Sequence, residues 1–217
     1  IDIEWGQGFS PERIDKALSQ GDYDVLTVTL NETSTGVMNP LEEIAAMVRE
    51  KYPDIVILVD AVSAMAGVKI EFDAWDLDVV ISSSQKCFAL PPGLAIVPVS
   101  ERALERAGQA PNRGYYFDFL TMLKYYKRNQ TPATPAISLI QALNAQMDDI
   151  LAEGLENRWA RHIEMAEIVR AWARQYWALF PNEAYLSNTV TSMANTRQAS
   201  IPDLNKELRK QGAMIAN

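Results

Sequence analysis

A carboxylate, an amine and two groups of hydroxyls stand where strand-like runs end. Asp60 closes the run Ile55 to Val59. Lys86 follows Ser82-Ser83-Ser84-Gln85, 26 positions after Asp60. Asn31-Glu32-Thr33-Ser34-Thr35-Gly36 follows a third run. A carboxylate buried at a strand end needs a cationic partner, because desolvation penalises its charged form. A lysine in a partly dry pocket gives up its proton and attacks carbonyl carbon. Hydroxyls and backbone N–H groups near a helix start hold phosphate. Taken singly, each feature has a plainer reading: Asp60 as a helix cap, Lys86 as a surface lysine, 31–36 as a polar connection.

The elements that must position these groups are legible around them. Ser10-Pro11-Glu12 predicts a helix start: a capping hydroxyl, proline at the first helical position and an acid for the dipole. Residues 24–30 are β-branched and predict a strand. Asn39-Pro40-Leu41 opens a second helix, with Leu41, Ile44, Ala45 and Val48 on one face. Ile55 to Val59 and Asp78 to Ile81 are apolar runs that suit parallel strands buried on both sides. Leu94 to Val97 is a fourth strand, and Ser100 caps the helix after it. Strands alternating with helices predict a mostly parallel α/β sheet, whose ligands sit beyond the carboxyl ends of the strands. Further on, the sequence predicts an aromatic helix over 117–126, a stiff turn at Thr131-Pro132-Ala133-Thr134-Pro135, and a long helical stretch over 136–180. That stretch breaks near Gly154 and stops at Pro181. Residues 190–193 predict a short strand, and 203–210 a helix stopped by Gly212. The α/β part is expected to span 1–153 and a smaller α+β part to begin over 154–217.

Composition bounds what such a site could serve. The 217 residues are 48% hydrophobic and 22% charged, a globular mix rather than a disordered or collagen-like one. Net charge is −8, from 28 acids and 20 bases, which argues against a nucleic-acid or anionic-membrane surface. Cys87 is the single cysteine, so no internal disulfide forms and a reducing, cytoplasmic setting is expected. One histidine, His162, excludes a multi-histidine metal site. No apolar run approaches the ~20 residues that span a bilayer. Residues 1–5 alternate like a strand already under way, and Met214-Ile215 reads as the first half of another. The chain therefore reads as an internal piece of a longer protein.

An acid for a ring nitrogen, a lysine for an aldehyde and hydroxyls for a phosphate are what pyridoxal phosphate requires. The stretches Val59-Asp60-Ala61-Val62-Ser63-Ala64-Met65-Ala66-Gly67, Ser82-Ser83-Ser84-Gln85-Lys86 and Leu90-Pro91-Pro92-Gly93-Leu94-Ala95 resemble the class V pyridoxal-phosphate aminotransferases. The nearest branch is that of the alanine–glyoxylate and serine–pyruvate enzymes. The 31–36 loop and the 131–135 segment are similar to that branch as well. The resemblance implies a fold-type-I α/β transferase that moves an amino group from a small amino acid, alanine or serine, to a 2-oxo acid, glyoxylate or pyruvate. It implies that Lys86 is the Schiff-base lysine and proton carrier, and that Asp60 pairs with the pyridinium nitrogen. Thr33 would bond the cofactor near its ring hydroxyl, Ser83 its phosphate, and Gln85 its phosphate or ring edge. Thr131 and Thr134 would reach the phosphate of a neighbouring subunit's cofactor, which makes the expected assembly a homodimer with shared active sites. Glu32 would support its loop.

The family's glycine-rich phosphate loop, its stacking aromatic and its substrate-binding arginine have no counterpart in these 217 residues, so the chain by itself is expected to be catalytically poor. Gln85 replaces the histidine that cysteine desulfurases of the same fold place before the lysine, so Cys87 reads as a small buried hydrophobe rather than a sulfur carrier. His162, with Arg158, Arg161 and Glu164, reads as part of a solvated helix face. Trp159, Trp172, Trp177 and Tyr176 read as core or interface aromatics, and Tyr115, Tyr116, Tyr125 and Tyr126 as interface or packing residues. Two alternatives stay open at this level. One is another class V reaction, on aspartate, phosphoserine or aminoethylphosphonate, or a lyase. The other is a non-catalytic homologue of the fold.

Overall fold

The computed structural model describes residues 1–215. Ser10 accepts a hydrogen bond from Arg13 N and starts α1 (Pro11–Leu18), which buries Ile14 and Leu18. β1 (Val25–Thr29) turns Leu26 and Val28 inward and leaves Val25 and Thr27 exposed. A small hairpin follows, β2 (Asn31–Glu32) against β3 (Val37–Met38). α2 (Leu41–Lys51) buries Leu41, Ile44, Ala45 and Val48, the face its spacing predicts. β4 (Val56–Asp60) and β5 (Val79–Ser83) then run parallel to β1, in the order β1-β4-β5. The core joins α1 and α2 to the sheet through Leu26, Val28, Ile57, Val59 and Val80. Full burial of one such side chain contributes about 1.5–3 kcal/mol. Ile81, in an apolar run expected to be buried on both sides, is 41% exposed.

β6 (Ala95–Ile96) pairs antiparallel with β5. The 84–94 connection is short and holds no helix, and a parallel return needs a longer crossover. Ser100 caps α3 (Glu101–Gln109) by accepting from Ala103 N. The amino end of the sheet is locked by Asp78, which is fully buried. Its Oδ2 accepts from Ile57 N at 2.7 Å and from Arg49 of α2 at 2.5 Å, and its Oδ1 accepts from Ser100 Oγ at 2.7 Å. One carboxylate thus ties two strands and two helices together at the end away from Asp60 and Lys86.

The aromatic helix is α4 (Phe119–Tyr126), begun by the Asp118 side chain on Leu120 N rather than at residue 117. Tyr115, Tyr116 and Phe117 lie before it and are exposed, Tyr115 to 98%. α5 (Ile137–Glu153) and α6 (Leu155–Tyr176) meet at Gly154, whose φ of +83° a glycine adopts freely. α6 ends at Tyr176, short of Pro181, because the next residues form β7 (Ala178–Leu179) against β8 (Met193–Ala194). The strand expected at 190–193 is therefore shifted and shorter. α7 (Ile201–Lys210) is capped by Ser200. Residues 1–5 form no strand, since none of the described residues pairs with them; Ile1 and Trp5 are exposed. Met214 and Ile215 take no regular structure, and the continuation of that expected strand lies outside the described residues.

Candidate active site

Parallel pairing brings three chain exits to one edge of the sheet. Thr29 is in register with Asp60, and Asp60 with Ile81. Leu30 N donates to Asp60 O at 2.8 Å, and Ala61 N to Ile81 O at 2.9 Å. The loops that leave there are 31–36, 61–67 and 84–90.

Each loop is built by its own polar residues. In the first, Glu32 Oε1 accepts from Ser34 N at 2.9 Å and Ser34 Oγ at 2.7 Å, and Gly36 turns the chain at φ +70°. In the second, Asp60 Oδ1 accepts from Val62 N at 2.9 Å, and Ala64 N donates to Ala61 O. In the third, the buried Ser84 donates to Pro91 O at 2.7 Å and accepts from Leu94 N, while Ala89 N closes on Lys86 O at 2.8 Å. Buried Ser63 joins them. Its Oγ lies 2.5 Å from Thr33 Oγ1, and its carbonyl accepts from Thr189 Oγ1 and, at 3.9 Å, from Cys87 Sγ. Gly67 leaves the room for this closure: a Cβ there would stand 2.6 Å from Thr189 Cγ2 and 2.8 Å from Cys87 Sγ.

Asp60, Thr33, Gln85 and Lys86 are exposed, and Ser83 is half-buried. Exposure corrects two expectations: within this chain, burial neither forces a partner on Asp60 nor dries the surroundings of Lys86. What recommends these residues is their shared place at the strand ends. Asp60 Oδ2 and Lys86 Nζ take no partner among the described residues, and the Ser82 and Ser83 hydroxyls are buried without one. Thr131 and Thr134 are exposed; Thr131 Oγ1 donates to Ala133 O at 2.7 Å, and among the described residues neither threonine hydrogen-bonds to the loops around Ser63. Burial pushes the Cys87 thiol up, against the opposing pull of Arg158 and Lys86, so it stays protonated at neutral pH. His162 Nδ1 lies 2.8 Å from the Arg158 carbonyl of its own helix. Among the described residues, no group of three or more His, Cys, Asp and Glu is placed to hold a metal ion, and no helix is long and apolar enough to cross a membrane.

Three residues that hold the site together were missed by the sequence reading. Ser63 and Thr189 gave no signal, because short polar residues in turns are common. Arg158 was assigned to a solvated face and is buried instead, 7% exposed. The signal was there: Arg158, Ala166, Arg170 and Ala173 recur along one helical stripe, and all four are buried.

The class-V aminotransferase profile matches residues 3–216. The chain is 39% identical over 183 residues to the L-aspartate–glyoxylate aminotransferase of Paracoccus denitrificans, covering 82% of this chain and 46% of the relative. It is 34% identical over 200 residues to a serine–glyoxylate aminotransferase of Arabidopsis thaliana, covering 89% and 50%. An alanine–glyoxylate aminotransferase structure from Nostoc superposes with a TM-score of 0.89 at 29% identity, covering 97% of this chain and 56% of that one. The chain spans about half the length of the curated relatives it matches. A profile match over almost every residue, on a sheet with the same fold, places this chain in the class-V aminotransferase family.

Proposed function

We propose that this chain carries the lysine-and-acid portion of a pyridoxal-phosphate transaminase that moves an amino group from a small amino acid, alanine or serine, to glyoxylate or pyruvate. The supporting observation is the convergence of the Thr33, Asp60 and Lys86 loops on Ser63 at one sheet edge. Pyridoxal phosphate is the cofactor of the class V family, and the groups present fit it. An unpartnered carboxylate oxygen, an unpaired amine and two orphaned serine hydroxyls match its ring nitrogen, aldehyde and phosphate. The named relatives use different amino donors, aspartate, serine and alanine, and share glyoxylate.

When bound, the cofactor supplies an aldehyde that takes the amino group and a ring that accepts the electron pair left at the substrate α-carbon. Asp60 would face the ring nitrogen and hold its proton. Lys86 Nζ would be the proton carrier for the substrate α-carbon. A base of this kind contributes about 10²–10⁴-fold. Thr33 bonds the ring hydroxyl, Ser83 the phosphate, and Gln85 the phosphate or ring edge. Thr131 and Thr134 serve the cofactor of a second subunit, so the assembly is a homodimer with shared sites. Residues 1–153 belong to the cofactor-binding domain, and 154–217 to a connecting helix and the start of a smaller one. The lone Cys87 suits a cytoplasmic enzyme.

The test is an amino-transfer assay of the full-length protein with alanine, serine and aspartate against glyoxylate and pyruvate. Transfer from alanine or serine, lost in Lys86→Ala, supports the reading. Transfer that survives Lys86→Ala, or no transfer with any pair, overturns it.

A further inference from the structure

Arg158 lies outside the three loops, yet it grips two of them. From the first turn of α6 its Nε donates to Ala66 O at 2.8 Å, and a terminal nitrogen donates to Cys87 O at 2.6 Å. Its other terminal nitrogen is neutralised by Glu153 at 2.8 Å, and Arg161 holds the far oxygen of that carboxylate at 2.6 Å. The guanidinium is buried, so these bonds form in a medium that strengthens them and makes their loss costly.

The two carbonyls are informative. Ala66 ends the turn after Asp60, and Cys87 immediately follows Lys86. Both gripped turns contain an alanine in the left-handed region, Ala66 at φ +71° and Ala89 at φ +55°. Such backbone persists only where the surroundings impose it. A planar fork with fixed nitrogen positions sets the separation of its two acceptors, which a flexible ammonium does not.

We propose that Arg158 is a positioning residue for Lys86: its fork fixes the turn carrying the amine against the turn carrying the acid. This rests on the transaminase reading above and adds a residue to it.

The test uses Arg158→Met and Arg158→Lys in the full-length holoenzyme, with Lys86→Ala beside them. A displaced amine costs rate rather than substrate binding, so kcat falls on the order of 10–100-fold while KM for the amino donor changes by less than about threefold. Arg158→Lys recovers only part of the loss. In cofactor-free protein, amide hydrogen exchange in Arg158→Met quickens over 64–68 and 86–90 and stays as in the parent elsewhere. A folded Arg158→Met with the parent kcat, or a rate loss that only follows the folded fraction with exchange quickened everywhere, overturns the proposal. Should Arg158→Met fail to fold, Arg158→Lys decides on the same two readouts. Loss of activity in Lys86→Ala with none in the Arg158 variants sinks the positioning role alone. Full activity in Lys86→Ala sinks the transaminase reading and this role with it.

Discussion

Glu153 stands between Arg161 and Arg158, whose hydrogen bonds hold its carboxyl down to about 2 from an ordinary 4.5. A depressed carboxylate stabilises the fold above its unfolded value, and that contribution is lost as pH falls through the folded one. Glu153→Gln therefore lowers stability against the parent at pH 7. The difference narrows below about 4.5 and vanishes below about 2, as thermal unfolding across that range would read. Asp60 Oδ2 and Lys86 Nζ, unlike the Glu153 carboxylate, take no partner among the described residues, and their replacement is expected to show in rate rather than stability. Asp60→Asn keeps the shape and removes the charge that would face the ring nitrogen. It is expected to lower kcat on the order of 10²-fold or more, with an unchanged unfolding midpoint.

At the scale of elements, the sheet is fastened at one end and carries the candidate site at the other. Asp78 holds β4, β5, α2 and α3 together. Asp78→Ala leaves Arg49 with Asp76 and the Ile55 carbonyl but strands the buried Ile57 N–H, and urea titration should show a loss of about 1–3 kcal/mol. At the other end, Gly67→Ala forces a methyl onto Thr189 and Cys87, and overpacking of this kind costs about 1–3 kcal/mol. The same variant pushes the 187–190 segment off Ser63, and exchange at Thr189 and Val190 should quicken. The helices and parallel strands were legible because each rests on local information: a cap, a 3.6-residue apolar period, an unbroken β-branched run. The place of Asp60 and Lys86 at strand ends was legible because the strands themselves were, and the ligands of an α/β sheet sit beyond such ends. What stayed hidden depends on partners distant in sequence. The Ser63 junction needs residues 30 and 126 positions away, Arg158 bonds carbonyls 92 and 71 positions away, and strand formation at 1–5 needs a neighbour that none of the described residues supplies.

At the scale of the whole molecule, the shared-site proposal makes Thr131 and Thr134 act on a cofactor they do not share a subunit with. Full-length Lys86→Ala and Thr131→Val/Thr134→Val variants are each expected to be weak. Unfolded together and refolded, they form mixed dimers in which one site has both lysine and threonines. Random pairing of two-fold assemblies then restores about one-quarter of the parent activity, whereas sites complete within one subunit restore none. The α6 face bearing Met165, Ile168, Trp172 and Tyr176 is exposed in this chain, and the two rings lie tilted at 46° with centroids 5.7 Å apart.

In the proposed function, the Lys86 amine and the Asp60 carboxylate address one pyridoxal phosphate ring. Borohydride reduction of the full-length holoenzyme, followed by peptide mapping by mass spectrometry, tests it most directly. The account predicts a single reduced cofactor adduct on Lys86, absent from Lys86→Ala. An adduct on another lysine, or none in a protein that still transfers amino groups, would contradict it.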